Sequence, residues 1–379
     1  MDLIWGIILG LAVLVFLVVV HELGHAIAAR RNGVVVEEFG IGFPPRAWKK
    51  KLKNKIVFSL NWLPLGGFVK LQGENDSARG KGDYGAATFW QKTKIILAGV
   101  LINWIVAAIL FTGLAFSGLP KVLPDQFVID SDATVEVEEV QIASVAESSP
   151  AEEAGLKAGD EIIRFAEQPV EEVEDIVRIA SDNAGEIVTI IYDREGVEYS
   201  AQTRLNPDDT NDHLGAGLGQ RELITATWSA PIVGVGTTAQ FTYVTLQGLG
   251  DILGKLFSGL FMQLSPDEQT RERAAANISQ AGDSVAGPIG ILGSIFPAAQ
   301  SAGLTQIVFL MAIISLTLAT INALPIPALD GGRWTTMTIF RLLKKKLTKE
   351  REETIQGIGF LVLMGLIILV TIADVGKLF

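Results

Sequence analysis

Four stretches of this chain are apolar and free of charge. The first runs for 18 residues from Leu3 to Val20, and its apolar character resumes after His21–His25 as far as Ala29. The others are Ile95 to Leu119, Leu304 to Leu324 and Ile355 to Ile372. At a rise of about 1.5 Å per residue each is long enough to cross a hydrocarbon core of about 30 Å as a helix. A secretory leader does not fit the first, because Met1-Asp2 supplies no positive charge and no small-residue cleavage site closes the run. The pattern therefore predicts an α-helical multi-pass membrane protein with four transmembrane helices, at 1–30, 92–119, 301–332 and 353–374. A fifth stretch, Trp228 to Gly250, also lacks charge over 23 residues. It is rich in Gly, Thr, Gln and Ser, and the region 222–300 reads as amphipathic or surface-lying.

Between the second and third spans the pattern changes. Val135 to Val140 and Ile187 to Tyr192 are β-branched and read as strands, Ser149 to Gly155 reads as a capped short helix, and Val170 to Ala180 repeats apolar positions at helical spacing. This is one small α/β module inserted among the spans.

Composition agrees with a membrane class. The 379 residues are 49% hydrophobic and 19% charged, with a net charge of −11, where ordinary soluble domains run nearer a quarter charged. Nucleic acid is not an expected partner. No cysteine is present, so disulfides, thiolate metal sites and cysteine nucleophiles are excluded. The charge is also unevenly spread. Arg30 to Lys94 carries 13 Lys+Arg against 5 Asp+Glu, Arg333 to Glu353 carries 7 against 3, and Lys121 to Asp283 carries 10 against 30. Basic loops stay in the cytoplasm, which predicts both termini and the acidic module outside.

Three histidines exist, His21, His25 and His213. His21-Glu22-Leu23-Gly24-His25 is an HExxH pattern, whose i, i+4 spacing puts two imidazoles on one helix face with a glutamate beside them. Charged or ionisable residues inside a span are costly and mark function. A catalytic zinc takes three protein ligands. His213 is a weak third candidate, since it sits in the polar turn after Asp208 in the outer module. Asp330 is the better one: it ends the third span, which runs in the same direction as the first, so the two reach the same membrane depth. Its alternative role is a turn at a helix end. Pro325 and Pro327 interrupt the third span and free backbone carbonyls, which implies a water-filled pocket at the inner boundary. Asn322 either lies in that pocket or hydrogen-bonds between helices.

These two motifs together, His21-Glu22-Leu23-Gly24-His25 and Asn322…Pro325…Pro327…Asp330-Gly331-Gly332, resemble the site-2 protease family of intramembrane zinc metalloproteases. The layout, covering essentially the whole chain, is similar to the family's bacterial RseP-like branch, with one module where the enterobacterial members carry two. The resemblance implies Zn2+ as cofactor, held by His21, His25 and Asp330, with Glu22 as the catalytic base. Substrate-binding roles are implied for Asn322, Pro325, Gly66, Gly67 and Phe68. It also implies that Ile56 to Leu71 is a membrane-dipping β-hairpin, in a region 31–91 whose other reading is an ordinary cytoplasmic hairpin, and that 129–218 is a PDZ-like domain. Gly287 to Ile291 resembles the family's segment before the third span. The expected partners are transmembrane protein substrates, such as anti-sigma factors or signal-peptide remnants, the lipid bilayer, and peptide C-termini at the PDZ-like domain. That domain either binds peptides or excludes bulky proteins sterically. The competing reading is a non-catalytic membrane adaptor, against which an intact glutamate base argues.

Overall fold

The computed structural model describes residues 2–378 apart from 54, 76–77, 195, 208–211, 264, 266 and 284–286. The start of the polar turn before His213 thus lies outside the described residues. The chain divides into two units, residues 1–112 with 234–379, and residues 113–233.

The first unit opens with α1 (Asp2–Arg31), a 30-residue helix that ends on Arg30 and Arg31. Two long strands follow, β1 (Val36–Lys51) and β2 (Val57–Leu71). Both bend, so residues 36–41 pair with 67–71 on one side, 38–41 also pair with 57–60 on the other, and 46–51 cover 57–61. The expected hairpin is therefore larger than Ile56 to Leu71, which forms only its second strand. Gly42 and the Pro44-Pro45 pair lie where β1 bends and break its alternation, which hid the first strand. Beyond it α2 (Phe89–Ser117) covers the second predicted span.

The second unit holds β3 (Leu119–Pro120), β4 (Thr134–Val137), β5 (Val140–Val145), α3 (Pro150–Glu153), β6 (Glu161–Phe165), β7 (Gln168–Pro169), α4 (Val173–Asp182), β8 (Ile187–Arg194), β9 (Val197–Arg204), β10 (Ala216–Gly219) and β11 (Glu222–Thr225). Its main sheet has the order β10-β5-β6-β8-β9 with β7 beside β6, and a small sheet of order β3-β11-β4 closes the module's two ends. The expected single strand from Val135 to Val140 is two, in different sheets, because Glu138 and Glu139 interrupt it and the Glu138 N–H is taken by the Arg221 carbonyl. Inward side chains of the main sheet, among them Ile142, Ile162, Phe165 and Ile190, pack on Ile176 and Ile179 of α4. As expected for a capped start, the Ser149 hydroxyl accepts from the Glu152 N–H at 3.2 Å. Asp160 is buried and receives Arg194 in a two-pronged bridge of 2.6 and 2.7 Å, which raises the arginine's already high pKa further.

The next helix, α5 (Ala230–Gln263), is 34 residues long. Its start is held by Asp132, whose carboxylate accepts from the backbone N–H groups of Thr227 and Ser229, both at 2.9 Å. Partial desolvation pushes the Asp132 pKa up, but the hydroxyls and N–H groups of Ser229 and Thr227 outweigh it and hold it down at about 2. A depressed carboxylate stabilises above its unfolded pKa of ~3.9 and loses that contribution as pH falls through the folded value. Amide exchange at residues 227–231 should therefore stay slow down to about pH 4 and accelerate between about pH 4 and 2. An Asp132→Asn variant should show no such pH step.

The first half of α5 is not surface-lying. Phe241 stacks on Phe111 of α2 at 5.6 Å, Thr237 and Thr238 are buried, and Trp104 of α2 donates to the Thr242 hydroxyl at 3.1 Å. A glycine at 234 permits this approach, because a Cβ there would meet Thr112 at 2.2 Å. Then follow α6 (Glu268–Asp283), α7 (Pro288–Gly290), a π-helical turn over Ile291–Ile295, α8 (Phe296–Ser301), α9 (Leu304–Ala323), α10 (Asp330–Leu342) and α11 (Lys349–Leu378). Among the described residues α1, α2 and α9 are long and apolar enough to cross a membrane. The fourth predicted span lies within α11. Asp374, buried near the end of α11, accepts from the N–H groups of Gly287 and Gly290 at 3.1 and 2.9 Å and so anchors the segment that packs on α1 through Phe296.

Candidate metal centre

His21 and His25 lie one turn apart on α1, and Asp330 is the first residue of α10. The chain reaches Asp330 because α9 stops at Ala323 and residues 324–329, with Pro325 and Pro327, turn back before a new helix starts. Gly331 and Gly332 make the turn possible: a Cβ would lie 2.1 Å from the Ala323 oxygen at the first and 1.9 Å from the Ile326 oxygen at the second. The carboxylate then meets both imidazoles. Asp330 Oδ2 is 3.1 Å from His21 Nε2 and 3.2 Å from His25 Nε2, and the two Nε2 atoms are 3.2 Å apart.

That triangle has the size of one face of a metal site. A tetrahedral ion with donor bonds of about 2.0–2.1 Å sets its ligands roughly 3.3 Å apart. Protonation fits too. His25 Nδ1 donates to the Ile95 carbonyl of α2 at 2.8 Å, which fixes the tautomer that leaves a lone pair on Nε2, facing the cluster. Asp330 Oδ2 is buried and has no other hydrogen-bond partner among the described residues. No other group of three or more such side chains gathers in this way among the described residues. His213 does not join them; its Nδ1 is 2.9 Å from the Asn206 carbonyl in the second unit.

Glu22 lines the same cavity, whose volume is about 450 Å3. Its carboxylate accepts from the Val69 N–H of β2, so the hairpin fixes the glutamate beside the histidines. Gly66, Gly67 and Phe68 form the adjoining wall, and Asn322 lines the cavity from the last turn of α9 with its amide donating to the Leu318 carbonyl at 2.9 Å. Pro325 is exposed in the turn and is not part of the cavity wall.

Two residues of α2 belong to the site and were not singled out in the sequence. Gly99 faces the histidines so closely that a Cβ would sit 2.4 Å from His25 Nε2 and 2.7 Å from His21 Nε2. One turn further, Asn103 is fully buried, lines the cavity, and has neither amide atom paired among the described residues. The available signal was an asparagine inside a charge-free span, four residues after a glycine.

Residues 9–366 match Peptidase family M50. The chain belongs to this family. The site-2 protease resemblance carried by the two motifs is thereby borne out. A Clostridium perfringens relative, named as a zinc metalloprotease, is 31% identical over 375 residues, spanning 97% of this chain and 98% of its own. RasP of Shouchella clausii, also named a zinc metalloprotease, is 25% identical over 458 residues, spanning 97% and 98%. Part of the chain is similar to the PDZ domain of an SdrC-like protein from Listeria monocytogenes, at 23% identity and a TM-score of 0.19, covering 21% of this chain and 86% of that one.

Proposed function

We propose that this M50 peptidase is a zinc-dependent intramembrane endopeptidase that cuts single-span substrates within or beside their transmembrane helix. The observation that carries this reading is the triangle of His21, His25 and Asp330 donor atoms at 3.1–3.2 Å, set between the apolar helix α1 and the start of α10 with Glu22 alongside. His21, His25 and Asp330 would hold the metal. Zinc, when bound, supplies Lewis acidity that polarises a carbonyl and acidifies water. Glu22 accepts the proton of the attacking water and returns it to the leaving amine, and the Val69 N–H keeps its carboxylate aimed while it does so.

A helical substrate hides its carbonyls in its own hydrogen bonds, so it must be opened locally. Residues 67–71 form an edge of the bent hairpin next to Glu22, and an extended substrate segment recovers its lost hydrogen bonds by adding to that edge. Asn103 and Asn322 then offer amides to the same segment. Asn103→Leu should keep zinc and lower cleavage between about fivefold and a hundredfold, the value of a buried amide hydrogen bond; unchanged turnover would remove Asn103 from substrate contact. In the outer module β10 is the last strand of its sheet, open to a peptide by the same strand addition, and this favours peptide binding there over a purely steric role.

Reconstitution with a single-span reporter and a soluble peptide of the same sequence tests the reading. Cleavage of the reporter should stop with 1,10-phenanthroline and return with zinc, while the peptide stays intact. Equal cleavage of both would point to a soluble-type zinc peptidase, and no cleavage of either to an adaptor.

A further inference from the structure

The carboxylate of Asp330 is brought to the histidines by a turn that its own residues do not favour. The Leu329 N–H donates to the Ile326 carbonyl at 3.1 Å, which closes a four-residue turn with Pro327 and Ala328 at its centre. Ala328 has a φ of +78°. A proline followed by a residue of positive φ is the type II pattern, whose third position takes glycine because a Cβ is strained there. With alanine in that place the type I form, in which the peptide between the two central residues is reversed, gains ground. Asp330 lies just beyond, so reversing that peptide would redirect its carboxylate.

Helix α11 grips the same peptide at both ends. Gln356 Oε1 accepts from the Ala328 N–H at 2.7 Å. Less than one turn later, Gly359 is buried against the Pro327 carbonyl, where a Cβ would sit 2.4 Å from the oxygen. One turn before Gln356, the buried Glu352 has Oε1 3.5 Å from Arg333 Nε of α10. The three positions share one face of α11, and that face meets the turn and the start of α10 together. A backbone N–H pairs only with an acceptor, which fixes the end of the Gln356 amide that faces the turn. The reversed peptide would take the Ala328 N–H away from it.

We propose that Gln356 is a positioning residue for the metal centre, holding the Pro327–Ala328 peptide in the orientation that carries Asp330 to His21 and His25. The role rests on the reading that those three side chains bind zinc, whose donors tolerate displacements of only about 0.2 Å. Titration of metal-free full-length protein with zinc ions against a competing chelator tests it, with no substrate present. Gln356→Met, which keeps the side-chain length and lacks a strong acceptor, should bind zinc about tenfold more weakly, the scale for groups that orient a ligand. Adding Ala328→Gly to that variant should recover about fivefold, since glycine adopts the positive φ without the penalty alanine carries. Gly357→Ala, beside Gln356 and with nothing within 4 Å of its Cβ position, should bind like the parent. Unchanged affinity in Gln356→Met, or a loss that Ala328→Gly does not relieve, overturns the role of Gln356 while the metal reading stands. A parent protein that binds no zinc overturns the metal reading and this role with it.

Discussion

Replacing Gly99 by alanine should strip the protein of zinc and of activity, although Gly99 is neither a ligand nor a base. The added Cβ would sit 2.4 Å from His25 Nε2 and 2.7 Å from His21 Nε2, well inside van der Waals contact and directed at the donor atoms. The helices have little room to part, because α2 is tied to α1 by the Ile95 carbonyl on His25 Nδ1 at 2.8 Å. On the other side of the contact, Gly24 of α1 lies so near that its Cβ would be 2.7 Å from the Ala98 oxygen. Metal sites tolerate donor displacements of only about 0.2 Å. Even changes to groups that merely orient a ligand cost about 10–100-fold in affinity. The expected loss for Gly99→Ala is at least a hundredfold in zinc affinity, read by metal analysis of purified protein and by cleavage of a single-span reporter. Gly113→Ala on the same helix is the control, since nothing lies within 4 Å of its Cβ position. Retained zinc in Gly99→Ala would mean that α2 does not press on the histidines as described.

Glu22→Gln should separate binding from chemistry. Gln has nearly the shape of Glu and its side-chain oxygen still accepts from the Val69 N–H, so the α1–β2 contact survives. What disappears is the capacity to take a proton. General-base catalysis contributes between about a hundred- and ten-thousand-fold, and cleavage should fall by an amount in that range while zinc content remains that of the parent. Comparable turnover would remove Glu22 from proton transfer. Loss of zinc along with turnover would make it a structural part of the centre.

Much of this was readable in the chain. Spans of 18 or more charge-free residues can only be buried in protein or lipid, and the His21–His25 spacing fixes a shared helix face whatever the fold around it. Asp330 was also within reach, because the first and third apolar stretches, read as parallel spans, bring it level with the histidines. The parts that escaped share a cause: they depend on how close two backbones come. Gly99 and Asn103 sit in an apolar run whose hydropathy does not reveal which face meets α1. The first strand of the hairpin was masked by Gly42 and the Pro44-Pro45 pair, whose bend lets one strand pair on both its sides. The polar composition of Trp228 to Gly250 suggested a surface, whereas a glycine at 234 brings α5 against α2 and lets Thr237 and Thr238 be buried.

Zinc K-edge X-ray absorption on the purified full-length protein examines the donor set itself. The predicted spectrum has one zinc per chain with two imidazole nitrogens, further light donors at about 2.0–2.1 Å and no sulfur, and it should be lost or altered in Asp330→Ala. A parent protein without stoichiometric zinc, or an Asp330→Ala spectrum indistinguishable from the parent's, would contradict the proposal that His21, His25 and Asp330 grip one ion.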